Sequence, residues 1–336
     1  MMLIFLDFIE MTLETFQKKF DTILNKDDIS ILLANGFSQA WDHTIFNYKS
    51  LFEKASFGTR DTEIRNLFLE FETFDFEKIM RALESAQKVC ESYGVEQDKI
   101  SEIKDDQEQL KNSLVEVISQ THPLRSSSVQ ISQYEKAKPF IKKFSKIFTL
   151  NYDLLLYWII NKNDISPVGY FTDDGFRGEL WENTEDQNVF YLHGGLHLYD
   201  NGVTIKKHRF KDYLDKGIVD HVKENLNQGK FPLFVSEPNY EAKLHRIKHN
   251  PYLNLCYKEL KNLKGSLFIH GHSMDENDKH IFDQINKSEV NKIYISIFGD
   301  EYSETNRTTM ANARRFIETR NIDIEFYDAE SAPIWK

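Results

Sequence analysis

Ile147-Phe148-Thr149-Leu150-Asn151-Tyr152-Asp153 is a short apolar run that ends in Asn-x-Asp. Four to six such residues flanked by helical patterns read as a strand of a parallel sheet buried on both faces. Two other stretches have the same form, Ile31-Leu32-Leu33-Ala34-Asn35-Gly36-Phe37-Ser38 and Val189-Phe190-Tyr191-Leu192-His193-Gly194-Gly195. Ligands of open parallel sheets bind beyond the carboxyl ends of the strands, so Asn35, Asn151, Asp153 and His193 are expected to gather there.

Outward from these runs, Asp28 to Ser38 reads as a first strand and turn. Gln39 to Ala55 reads as the following helix, with Ala40, Ile45, Tyr48, Leu51 and Phe52 on one face. From about Thr59 to Phe144 the pattern becomes helical and charge-rich, as in FEKIMRALESAQKVCESYG and DQEQLKNSLVEVISQ, without glycine-bounded strands. This predicts an inserted helical module whose Ile79, Leu83, Leu110, Leu114 and Val117 pack mostly on each other. Pro123 and Ser126 to Ser128 mark a loop within it, and Pro139 is expected to open its last helix. The α/β alternation then resumes. Strands are expected to Leu150, to Leu192 and over Phe231–Val235, Ser266–Ile269, Ile293–Phe298 and Ile322–Phe326. Helices are expected from Asp153, around Asp212 to Asn225, and over Asn277–Ser288 and Thr305–Arg320. YLHGGLHLYDNGVTIKKH reads as a hairpin turning at Asp200-Asn201-Gly202. The expected class is α/β, a Rossmann-like doubly wound, mostly parallel sheet with a helical insertion. Residues 1–28 form an N-terminal helix, 29–58 and 145–336 the core, and 59–144 the insert.

The 336 residues are 40% hydrophobic and 13% aromatic, enough for a packed core. A formal net charge of −11 argues against nucleic acid as a direct partner, which needs clustered positive charge. With Cys90 and Cys256 as the two cysteines there is neither a disulfide framework nor a four-thiolate zinc site, and a reducing cytoplasm fits. The opening MMLIFLDFIEM is apolar but short and carries Asp7 and Glu10. It is expected to be neither a signal peptide nor a membrane span but a helix on the core, and no later segment reaches membrane length.

Asn35-Gly36-Phe37-Ser38 sits where a strand gives way to a helix, so its backbone N–H groups can face an anion such as a pyrophosphate. An ordinary turn with Ser38 as N-cap is the plainer alternative. Asn151 inside an apolar run needs polar partners, since an amide buried without them costs about 1–3 kcal/mol. Its structural reading is that Asn151 closes the strand and Asp153 caps a helix beginning at Leu154. His193, at a strand end and followed by two glycines, suits a general base, although a single histidine is more often structural. His197 and His208 are expected on the hairpin surface. His270-Gly271-His272-Ser273-Met274-Asp275, with Asp278 and His280, offers metal-ligand types. It is similar to the G-H-x-H end of metallophosphoesterases but breaks at Met274, and no early D-x-H supplies the other ligands. Asp275 and Asp278 are expected as helix caps or first-turn acids, and no metal is expected.

The ordered set NGFS, LNYD, LHGG and HGHSMDENDKHI, with FVSEPNYEAKLHRIKHNPYL between the last two, resembles a divergent sirtuin-like domain of a bacterial branch of unknown function. In that resemblance the Q-N-x-D motif maps to Leu150-Asn151-Tyr152-Asp153, with leucine in place of glutamine. Asn151 then lies near the nicotinamide ribose, Asp153 on the carboxamide, and His193-Gly194 is the His-Gly pair. Gly36 and Ser38 hold the phosphates, and Gly271-His272-Ser273 lies near the dinucleotide. Asn35, Phe37 and Asp42 complete the implied NAD contacts.

The four-cysteine zinc module of the family's deacylases cannot be built from two cysteines. The chain is therefore similar to the NAD hydrolases of abortive anti-phage defence, helical insertion included. The resemblance implies NAD as substrate, Asn151 and His193 as catalytic residues, and no metal. It also implies a cytoplasmic homo-oligomer gated by assembly or by an activating partner protein from the same defence locus, with no nucleic acid or membrane partner. The alternatives are an NAD or ADP-ribose sensor that does not cleave and, as a lesser one, a metal-dependent phosphoesterase.

Overall fold

The computed structural model describes residues 13–26, 28–42, 52–72, 76–123, 125–167, 172–200, 203–209, 217, 220–221, 232–235, 237, 239–318 and 320–336. The expected helices from Gln39 and around Asp212, the opening segment to Thr12 and the Asn201-Gly202 turn lie largely or wholly outside them.

The apolar runs form one six-stranded, all-parallel sheet: β1 (Ile29–Leu33), β2 (Lys146–Thr149), β5 (Val189–Tyr191), β9 (Lys264–His270), β10 (Glu289–Ile297) and β11 (Asp323–Asp328). Their spatial order is β11-β10-β9-β1-β2-β5. The chain thus steps from β1 through β2 to β5, returns to the other side of β1, and continues outward. Every residue of β1 is buried, as a strand with parallel neighbours and helices around it requires. This Rossmann-like order reverses between β1 and β9, the point beyond which such sheets bind ligands.

Helices flank the sheet. Phe16 of α1 (Phe16–Asp21) packs against Phe140, Phe268 and Tyr327, with ring centroids 5.0, 5.2 and 5.8 Å apart. After β1 comes the short α2 (Asn35–Gln39), followed by α3 (Asp61–Glu70), α4 (Phe76–Ser92) and α5 (Gln97–Thr121). These last three have an apolar cluster of their own, in which Ile79, Leu83, Leu110, Leu114 and Val117 meet Phe57, Phe68 and Phe76. Helix α6 (Ile131–Ile141), grouped with the insert in the sequence reading, buries Tyr134, Ala137, Phe140 and Ile141 in the main core instead. Pro139 lies inside α6 rather than at its start; the helix opens where Gln133 accepts the Gln130 N–H at 3.1 Å. The core continues through α7 (Leu155–Asn161), α8 (Tyr240–His249), α9 (Pro251–Glu259), α10 (Lys279–Ile285) and α11 (Glu304–Phe316).

The second half departs from the expected alternation. A five-stranded antiparallel sheet forms from β3 (Phe176–Arg177), β4 (Leu180–Trp181), β6 (Gly194–Asp200), β7 (Ile205–Lys207) and β8 (Pro232–Phe234). The predicted hairpin is β6–β7. The strand expected at Phe231–Val235 joins this sheet beside β6 and not the parallel one. No described helix is long and apolar enough to cross a membrane.

Candidate active site at the carboxyl edge of the parallel sheet

At the reversal point the backbones of β1 and β9 close on each other. Ala34 N–H donates to His270 O and Gly36 N–H to Gly271 O, both at 2.9 Å. A Cβ on Gly36 would lie 2.5 Å from Gly271 Cα, and Gly271 holds φ +75°. The two glycines therefore allow a close backbone approach that no side chain would permit. The Gly36 N–H is directed at Gly271 rather than outward to an anion. Asn35 and Asp42 are half-buried at either end of this turn, and Ser273 is exposed. Phe37 is buried on Trp335, whose Nε1 donates to its carbonyl at 2.8 Å.

Ser38 is not a cap: Ala34 holds the cap position without a side-chain bond, and Ser38 is buried inside the turn. Its hydroxyl accepts Asn151 Nδ2–H at 2.8 Å and donates to Asp153 Oδ2. The other Asn151 amide hydrogen goes to Ala34 O at 3.1 Å. Asn151 thus has both donors committed to the turn that follows β1, at Ala34 and Ser38, and presents Oδ1, an acceptor. Asp153 Oδ1 accepts the Leu155 N–H at 2.9 Å, so it ties the start of α7 one residue later than expected. Burial raises the Asp153 carboxyl pKa, opposed by the bonds from Ser38 and Leu155. As placed, Asp153 holds Ser38 and α7. The Leu154 N–H is taken by His122 Nε2 at 2.8 Å.

His193 follows β5, with its carbonyl accepting Val235 N–H at 2.9 Å and Gly194 after it at φ +80°. Tyr152 stacks on its ring at 6.4 Å between centroids and donates its hydroxyl to Val235 O. His193 Nε2 lies 3.4 Å from His280 Nε2 and 3.8 Å from Asp278 Oδ1. Asp278 Oδ1 also meets Lys243 Nζ at 3.0 Å, and its Oδ2 meets His272 Nε2 at 3.1 Å. His272 Nδ1 accepts Met274 N–H at 2.7 Å, which leaves the ring hydrogen on Nε2, directed at Asp278.

The electrostatics follow from burial. Desolvation drives His193 well below the usual histidine range and His280 down to about 3, so both rings are neutral at pH 7; Asp278 works against this and Lys243 reinforces it. Burial would raise the Asp278 carboxyl, but Lys243 first and His272 next hold it well below the usual range.

His193, Asp278 and His280 can bring ligand-type atoms within 4.8 Å of one another. Asp278, however, already carries the Lys243 ammonium on one oxygen and His272 on the other. A divalent ion beside a buried ammonium would leave positive charge uncompensated in a low-dielectric interior. The donor set fits an ion-paired relay better than a metal centre. Asp278 holds the position before α10 and is an acid of the preceding helical turn, within its expected role, but makes no cap bond, whereas Asp275 caps by accepting Asn277 N–H. His197 is not on the surface. It is fully buried between the rings of Tyr157 and Tyr191, and His208 is half-buried on Tyr199.

A family model described as a domain of unknown function, DUF4917, matches residues 31–335. The chain belongs to this family. No curated protein matches it. The DUF4917 match includes every residue of the site, from Asn35 to His280. Two of the residues now seen beside His193, Asp278 and His280, stood out in the sequence only through ligand-like spacing. Lys243 lies 35 positions from Asp278 on an otherwise ordinary polar helix and gave no signal.

Proposed function

We propose that this DUF4917 chain hydrolyses NAD at the nicotinamide–ribose bond, giving nicotinamide and ADP-ribose. The observation that carries the reading is the Ser38–Asn151–Asp153 hydrogen-bonded unit. It joins the ends of β1 and β2 beside the reversal point, with a neutral His193 at the end of the adjacent strand. Water attacks the anomeric carbon of the nicotinamide ribose, the N-glycosidic bond breaks with its electrons going to nicotinamide, and the water's proton goes to His193. Asn151 Oδ1 is the acceptor type that orients that water or a ribose hydroxyl. Gating by assembly or by a partner protein in an anti-phage response belongs to the same proposal, because unrestrained NAD loss would kill the host.

Incubation of the purified protein with NAD, with nicotinamide followed by chromatography, tests this. Asn151→Ala and His193→Ala are each expected to lower turnover on the order of a hundredfold or more without unfolding the protein. Wild-type turnover in both variants would dismiss the site. Saturable NAD binding with no nicotinamide release, alone or with neighbouring gene products, would favour the sensor reading.

A further inference from the structure

We propose that the base of this site is the His193–His280 imidazole pair acting as one unit, with Asp278, set between Lys243 and His272, as the positioning group that governs its charge. The proposal takes its substrate from the NAD reading above but stands on separate geometry. The two Nε2 atoms face each other at 3.4 Å with the rings 20° from coplanar, so one must carry the hydrogen and the other a lone pair. His193, His272 and His280 are buried, and Lys243 is 1% exposed. Every contact here is therefore made at low dielectric, where an uncompensated charge is costly.

The charged and titratable groups facing the pair come from three places: Asp278 ahead of α10, Lys243 on α8, and His272 after β9. Asp278 Oδ1 is 3.8 Å from His193 Nε2, too far for a hydrogen bond and close enough for its charge to act. With His193 Nε2–H donated to His280 Nε2, the proton taken from water arrives at His193 Nδ1 and leaves the pair with one positive charge, which Asp278 faces. Lys243, on the same oxygen, weakens that attraction and keeps the pair neutral at rest. His272, with its tautomer set by Met274 N–H, anchors the other oxygen and so fixes the carboxylate's orientation.

Long-range proton–nitrogen NMR on protein labelled at histidine tests this without substrate, with signals assigned from His193→Asn and His280→Gln. The wild type is expected to show His272 protonated at Nε2, His193 and His280 neutral at pH 6, and the hydrogen of the pair on His193 Nε2. In Lys243→Gln, His193 is expected to titrate at least about one pH unit higher, since an opposite charge a few ångströms away shifts a pKa by about 1–3 units. Lys243→Arg, which keeps the charge, should leave it neutral. If Lys243→Gln does not fold, the wild-type tautomers and Lys243→Arg still decide. Both Nε2 atoms protonated, neither, or the hydrogen on His280 Nε2 would overturn the proposal, as would an unchanged His193 titration in folded Lys243→Gln or stoichiometric zinc or manganese lost on chelation. Kinetics then separate the two ideas. The acid limb of kcat/KM should move up with Lys243→Gln, whereas the expected NMR result with no nicotinamide release would refute NAD cleavage and leave the pair intact.

Discussion

Lowering the pH from 7 to 5 is expected to remove at least about 5 kcal/mol of stability, because the fold buries histidines in the neutral form. Burial holds His122 and His270 down to about 4 and His280 down to about 3, while His193 and His197 are pushed well below the usual range. In the unfolded chain each titrates near 6.5. A group with a depressed folded pKa favours the native state fully above its unfolded pKa and loses that preference as pH falls. The affected window therefore opens at about 6.5 and runs to about 4. At 1.36 kcal/mol per pH unit per proton, one such histidine costs about 2 kcal/mol at pH 5. Three with these values reach about 5–6 kcal/mol, a large part of the 5–15 kcal/mol typical of a whole domain. Asp153 and Glu237, raised by burial, work in the opposite sense. Asp278, held below its usual range, changes little in this window. Urea unfolding followed by tryptophan fluorescence at half-unit pH steps provides the assay. A free energy that stays level from pH 7 to 5 would refute the reasoning. So would full restoration at pH 5 in a variant lacking one exposed histidine such as His249.

Gly36→Ala places a methyl 2.5 Å from Gly271 Cα and should cost about 1–3 kcal/mol, measured by urea unfolding; a loss under about 0.5 kcal/mol would mean the β1–β9 approach is loose. Ser38→Ala removes the hydroxyl that accepts from Asn151 and donates to buried Asp153, and should cost about 1–3 kcal/mol together with most NAD turnover. Glu84 of α4 accepts Asn239 Nδ2–H at 2.9 Å at the start of the helix that bears Lys243, so replacing α3 to α5, the insert without α6, by a short linker should change both NAD turnover and the oligomeric mass by light scattering. A folded deletion protein with unchanged rate and mass would show that the insert neither gates nor assembles.

The strands most readable in the sequence were those of the parallel sheet. A strand buried on both faces is apolar along its length, and that pattern needs no knowledge of its neighbours. The same reasoning misplaced Phe231–Val235, since a short apolar run looks alike in either sheet and only pairing with β6 decides. His197 illustrates the opposite error. Polarity alone suggested the surface, but the rings of Tyr157 and Tyr191 enclose it. Gly36 was legible as a turn residue, yet its reason, the backbone of Gly271, lies 235 positions away in the chain.

What the sequence determined by itself is therefore the α/β class, the strand ends that bear Asn151 and His193, and the shortage of thiols. Each depends on local periodicity or on composition. Tertiary structure alone decided that the sheet reverses between β1 and β9, that Ser38 joins Asn151 to Asp153, and that Lys243 and His272 hold Asp278 against the His193–His280 pair. These depend on which distant segments share low-dielectric space. There a charge or a lone pair must find a partner, and its choice is not written in the spacing along the chain.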